Sequence, residues 1–147
     1  MRNKFIQAHM KAAEAYAELS SAQRLKVGCV VVKNDTIIGI GYNGMPTGWT
    51  NECENHIGFD KGEPVLMTKP EVLHAETNAL AKIAKSTNSS EDAVMFITHA
   101  PCIECSKLIH QSGISSVYYR DTYRSDEGLQ FLEKCGVKTE HVWTPNT

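Results

Sequence analysis

Apolar positions recur at helical spacing near the start of the chain. Phe5, Ile6, Met10, Ala13, Tyr16 and Ala17 share one stripe, which predicts an amphipathic helix over residues 3–19. His9 lies on the same stripe and reads as a core or interface histidine rather than a ligand. The pattern then changes period. Val27-Gly28-Cys29-Val30-Val31-Val32 is short and β-branched, as a buried strand is, with Cys29 a packed core thiol. Asn34-Asp35 predicts a tight turn and Thr36-Ile37-Ile38-Gly39-Ile40 the returning strand of a hairpin. Between residues 41 and 69 the alternation is lost. Gly41, Gly44, Pro46, Gly48, Gly58, Gly62 and Pro64 punctuate the stretch, which predicts a long loop. Loops of this length inside a compact domain tend to be functional.

Regular patterning resumes at His74, with a helix running through Ala84, and a polar linker follows at Ser86-Thr87-Asn88-Ser89-Ser90. Ala93 to Thr98 predicts a third strand, delivering the chain to a helix that starts at Pro101-Cys102 and ends near Ser112-Gly113. A strand over 116–119, a helix over 127–134 stopped by Gly136, and a last strand over 137–142 complete the order. A hairpin followed by αβαβαβ predicts an α/β fold: a mixed sheet covered by helices on both faces, in a single domain over residues 1–147.

Composition narrows the function classes. A hydrophobic content of 41 % suits an ordinary packed core. A formal net charge of −2 argues against a general nucleic-acid binder, which carries a basic face, but leaves room for a small phosphorylated ligand in a local basic pocket. Five cysteines is an odd number, which suits a reducing compartment better than a disulfide scaffold. No apolar run predicts a membrane span, and the first residues lack a signal-peptide core, so the expected location is cytoplasmic.

The chemistry is concentrated in two short motifs, His74-Ala75-Glu76 and Pro101-Cys102-Ile103-Glu104-Cys105. Alone, C-x-x-C is often redox-active or half of a four-ligand structural zinc site, and H-x-E alone means little. Together, in this order, they form the signature of zinc-dependent nucleobase deaminases. The donor count fits: His74, Cys102 and Cys105 supply three ligands, as in a catalytic zinc site that keeps a position open for water. Zinc lowers the pKa of such a water from about 15.7 to about 7. Glu76 is then the proton shuttle. Cys102 and Cys105, three apart, share one helix face, with Pro101 expected in the first turn. His74 and Glu76, only two apart, converge only at a helix end.

A more specific resemblance covers roughly residues 20–137. Arg24-Leu25-Lys26-Val27-Gly28, Gly41-Tyr42-Asn43-Gly44-Met45-Pro46-Thr47-Gly48, His74-Ala75-Glu76-Thr77-Asn78-Ala79 and Pro101 through Ile109 resemble the corresponding runs of deoxycytidylate (dCMP) deaminases. Ser112-Gly113-Ile114 matches as well. The resemblance implies a cytidine-deaminase-like three-layer α/β/α sandwich with a mixed five-stranded sheet. It implies one catalytic zinc per chain and hydrolysis of dCMP to dUMP and ammonia, supplying dUMP for thymidylate synthesis. It further implies a homo-hexamer activated by dCTP, with magnesium accompanying that effector, and inhibited by dTTP. Arg24 would bind the phosphate, Asn43 the sugar, and the Ala75 amide the base carbonyl; Gly41, Tyr42 and Gly44 would line the effector pocket. Read without its neighbours, Asn43-Gly44 is equally a plain turn. Tyr123-Arg124 is either a further phosphate contact or a solvated loop.

Some relatives carry a second, structural zinc with a cysteine near the position of Ala22 here. Cys53, His56 and His99 are the remaining scattered donors for such a site, and His99 equally reads as a base-pocket or packing residue. Cys135 has no evident partner. The alternatives are a cytidine, guanine or tRNA-adenosine deaminase, or a catalytically inactive zinc-stabilised binding module. A tRNA enzyme needs a basic face, a nucleoside enzyme has no use for Arg24 near a phosphate, and a purely structural zinc needs no Glu76.

Overall fold

The computed structural model describes residues 1–145. Its elements in chain order are α1 (Asn3–Ala17), β1 (Gly28–Lys33), β2 (Thr36–Tyr42), β3 (Glu54–Asp60), β4 (Glu63–Thr68), α2 (Ala75–Ala84), β5 (Val94–His99), α3 (Ile103–Gln111), β6 (Ser116–Asp121), α4 (Glu127–Lys134) and β7 (Lys138–His141). Five strands form one sheet in the order β2-β1-β5-β6-β7. β1 is antiparallel to both β2 and β5, while β5, β6 and β7 run parallel. The mixed five-stranded sheet expected from the sequence is therefore present. The β1–β2 turn places Asn34 and Asp35 at φ of 50° and 60°, a left-handed pair whose twist matches a two-residue hairpin.

Strand periodicity divides the core into two layers. Val30, Val32, Phe96 and Tyr118 point to the face covered by α1, where they meet Met10 and Ala13. Phe96 and Tyr118 stack there with ring centroids 4.9 Å apart. Cys29, Val31, Met95, Ile97 and Val117 point to the opposite face, against Ala75, Ala79 and Ile83 of α2, Ile109 of α3 and Leu132 of α4. Each Val, Ile, Leu, Met or Phe among them, taken fully out of water, contributes about 1.5–3 kcal/mol.

Two glycines set the helix–sheet spacing. A Cβ on Gly28 would strike the α1 backbone at Ala13 and Ala17, and one on Gly41 would strike the α2 backbone at Ala75 and Ala79. Glycine at these points lets each helix lie directly on its strand.

The stretch read as a loop departs from expectation. It contains a second hairpin, β3–β4, turned at Lys61 and Gly62 with φ of 52° and 83°. Its pattern was hidden because almost every position of β3 is exposed, so no buried face imposes an apolar–polar alternation. Helix α1 also ends at Ala17, where its apolar stripe ends, two residues short of the predicted span 3–19.

Candidate active site

The start of β1 and the ends of β2 and β5 lie at the same edge of the sheet, because β1 is antiparallel to both neighbours. The chain segments leaving that edge build the site. β5 delivers Pro101-Cys102, and β2 leads through a Gly44–Leu73 backbone bridge to His74. His74 is the N-cap of α2, in extended conformation, so Ala75 and Glu76 open the helix. Cys102 likewise caps α3, with Cys105 one turn on. Pro101 therefore precedes the cap instead of occupying the first helical turn, because Cys102 takes extended backbone angles (φ −70°, ψ 170°).

The two helix starts bring three donors together. His74 Nδ1 lies 3.3 Å from Cys105 Sγ and 3.8 Å from Cys102 Sγ. All three donor atoms lie within 4.8 Å of one another, and among the described residues they form the one such group. Nitrogen and sulfur sharing a tetrahedral zinc at roughly 2.0 and 2.3 Å would stand roughly 3.5 Å apart, so the donors match that ion in spacing and in softness. Hydrogen bonds from Cys105 and His74 bring the Cys102 thiol down to about 3. The same sharing pushes the Cys105 thiol up and raises His74 above its ordinary value. Protons here mediate between groups that a divalent cation would bind together. Cys53 instead packs against Ala22 and Val72, and His56 is exposed on β3.

Glu76 is 4 % exposed, and burial raises its carboxyl above the ordinary value, opposed in part by its own backbone amide. A carboxyl whose pKa is raised holds a proton more readily than an exposed one. The Ala75 amide belongs to the first turn of α2, where helix N–H groups have no intrahelical acceptor.

A cleft of about 510 Å³ opens above these groups, bounded by His74, Ala75, Glu76, His99, Arg24 and Arg124 among others. Arg24 donates from Nη1 to Thr68 Oγ1 at 3.2 Å. Arg124, also on the lining, lies over the Tyr123 ring, 5.5 Å from its centroid. His99 is held at both nitrogens: Thr98 Oγ1, already accepting the Gly28 amide, lies 2.9 Å from Nδ1, and Asp121 Oδ2 lies 3.4 Å from Nε2. Burial lowers the His99 pKa, with Asp121 acting in the opposite sense.

Asn43 also borders the cleft, but its side chain is largely engaged. Oδ1 accepts the Val27 amide at 2.9 Å and Nδ2 donates to the Leu25 carbonyl at 2.8 Å. One amide hydrogen and one lone pair remain for a ligand. Gly41, Tyr42 and Gly44 lie elsewhere. Gly41 is buried on α2, the Tyr42 ring faces Lys82, and Gly44 pairs with Leu73. Glu54 and Thr68, which also reach the cleft, were missed by sequence reasoning because they lie in the stretch read as loop.

Residues 3–121 match the family described as the cytidine and deoxycytidylate deaminase zinc-binding region. The chain belongs to that family. It is 35 % identical to ComE operon protein 2 of Bacillus subtilis, over 84 % of this chain and 63 % of the relative. It is 34 % identical to the deoxycytidylate deaminase of Saccharomyces cerevisiae, over 93 % of this chain but 44 % of that protein. The chain thus spans less than two thirds of the length of these relatives. The crystal structure of dCMP deaminase from the cyanophage S-TIM5, in complex with dCMP and dUMP, superposes with a TM-score of 0.86 at 43 % identity. That match covers 97 % of this chain and 99 % of the other, and it identifies the fold as cytidine-deaminase-like.

Proposed function

We propose that the chain is a zinc-dependent hydrolase converting dCMP and water to dUMP and ammonia. The observation that carries this reading is the buried Glu76 carboxyl beside the His74–Cys102–Cys105 donor group, in a cleft that Arg24 and Arg124 also line. Zinc held by these three side chains would supply an acidified water at neutral pH. Glu76 would take a proton from the attacking water and place it on N3 of the cytosine ring, which makes C4 electrophilic. Water oxygen bonds to C4. Glu76 then transfers the second proton to the exocyclic amine, the C4–N bond breaks with its electron pair on nitrogen, and ammonia leaves. The Ala75 amide holds the base carbonyl oxygen, and the free lone pair and hydrogen of Asn43 meet the sugar. Arg24, with Arg124 on the same cleft lining, binds the phosphate through charge-assisted hydrogen bonds.

The wider reading is a cytoplasmic homo-hexamer whose dCMP affinity is raised by dCTP with magnesium and lowered by dTTP. Gly41, Tyr42 and Gly44 lie on the segment assigned to the effector, and the Gly44–Leu73 bridge links that segment to His74. An effector has to bind one arrangement of this segment better than another for such coupling to exist. One experiment tests both levels: ammonia release from dCMP, CMP, deoxycytidine and dCTP, with saturation curves repeated at several dCTP and dTTP concentrations and the mass measured by light scattering. Turnover of dCMP well above deoxycytidine is expected, with a sigmoidal curve made hyperbolic by dCTP. Equal use of nucleoside and nucleotide would refute the substrate assignment, and superimposable hyperbolic curves would refute the regulation alone.

A further inference from the structure

The β3–β4 hairpin is fastened to the body of the protein at the residue assigned to the phosphate. Glu54, the first residue of β3, accepts the backbone N–H of Gln23 and of Arg24 on one carboxylate oxygen, each at 3.0 Å. Thr68, the last residue of β4 and the register partner of Glu54, accepts from Arg24 Nη1 at 3.2 Å. The first rung of the hairpin therefore grips Arg24 twice, at its main chain and at its guanidinium. Below that rung the Lys69 amide bonds to the Cys53 carbonyl at 2.8 Å, and Cys53 is packed with Ala22 and Val72. Beyond it β3 and β4 form a two-stranded sheet of their own among the described residues, and Ile57, Phe59 and Met67 are exposed.

We propose that Glu54 and Thr68 are positioning residues for Arg24, so that the root of the β3–β4 hairpin sets the preference for a phosphorylated over an unphosphorylated nucleoside. The proposal rests on the phosphate role given to Arg24 above. Glu54 serves it indirectly. Its own charge repels a phosphate, whereas its two amide contacts fix the backbone from which the guanidinium is aimed. An arginine side chain loses rotamer freedom when a ligand immobilises it. A guanidinium already held by Thr68 has given up part of that freedom before the ligand arrives, which is the energetic meaning of preorganisation.

The test is calorimetric titration of the zinc-loaded full chain with dUMP and with deoxyuridine, alongside zinc content. E54A and T68V are each expected to weaken dUMP roughly 10-fold, the effect of one charge-assisted hydrogen bond, while deoxyuridine changes far less. E54Q should recover most of the loss, since an amide oxygen accepts the same two N–H groups. In an R24A background E54A should add almost nothing, because the two residues act through one contact. Equal losses for dUMP and deoxyuridine, additive losses in the double variant, or no change in T68V and E54A would overturn the proposal. A wild-type chain that binds dUMP no better than deoxyuridine would remove the Arg24 phosphate assignment and this proposal with it; a wild-type preference that the variants leave intact removes the proposal alone.

Discussion

Glu76→Gln isolates the proton transfer from the metal site. The substitution keeps the volume of a side chain that is 4 % exposed and leaves His74, Cys102 and Cys105 in place. Packing and zinc content are therefore expected to survive. What disappears is the group to which the proposed mechanism gives both proton transfers, to N3 and to the departing amine. A positioned acid–base group is typically worth roughly 10²–10⁴-fold in rate, or about 3–5 kcal/mol of barrier. The upper end is expected here, because the neighbouring histidine cannot take over. Both nitrogens of His99 face other partners, Thr98 at 2.9 Å and Asp121 at 3.4 Å. The loss should fall on kcat with little change in KM, since ground-state contacts are untouched. The assay is steady-state ammonia release from dCMP with zinc measured on the same sample. A zinc-replete Glu76→Gln enzyme retaining more than about a tenth of wild-type kcat would contradict the shuttle role, given the expected range. A zinc-free one would show that the carboxyl is needed to build the site.

Three further outcomes follow from the same geometry. Cys102→Ala should abolish zinc retention and yield mostly insoluble protein, read by elemental analysis and soluble yield, because metal binding is coupled to folding. Gly41→Ala places a methyl against the Ala75 carbonyl and the Ala79 amide; it should cost about 1–3 kcal/mol in denaturant melts and lower kcat by displacing the start of α2, and wild-type stability would refute the close packing. Burial depresses the folded-state pKa of His99 below its ordinary value of 6.5, so the contribution of its neutral ring is complete above that value and is lost as pH falls through the depressed one. Thermal midpoints of wild type relative to His99→Asn should therefore decline from about pH 7.5 to about pH 5, and a constant difference would refute the burial argument.

The parts of this structure legible from the sequence are those in which a local pattern has a local cause. The β-branched run around Val30 is a strand because both its faces are buried, and the apolar stripe ending at Ala17 is a helix because one face is. The donor set was legible because H-x-E and P-C-x-x-C are each compact enough to sit at one helix start. The position of His74 at a helix start follows from its spacing to Glu76, whereas Cys102 as a cap does not follow from C-x-x-C, which fits two positions on one helix face equally well. The hairpin was illegible because its exposed strands carry no periodic face, and the Lys61-Gly62 turn alone was too weak a signal. Asn43 was read as a ligand residue from its motif, yet most of its hydrogen-bonding capacity goes to Val27 and Leu25, residues whose proximity depends on the folded chain. Glu54 shows the same limit: its partners lie 30 and 31 residues away.

His74 and Cys102 are 28 residues apart in the chain, and between them run α2, the polar linker and the whole of β5. An ion shared by the two ends would close that span into a ring. By the chain-entropy relation for cross-links, a loop of this size removes about 3–4 kcal/mol worth of freedom from the unfolded ensemble. Such an ion would also staple the start of α2 to the start of α3, and chelation should release the two helices from one another well before the α1 face of the sheet gives way. In amide exchange, the first protons to lose protection on metal removal should be those of Asn78 to Ile83 and of Ser106 to Ile109, while Val30, Val32 and Phe96 remain closed.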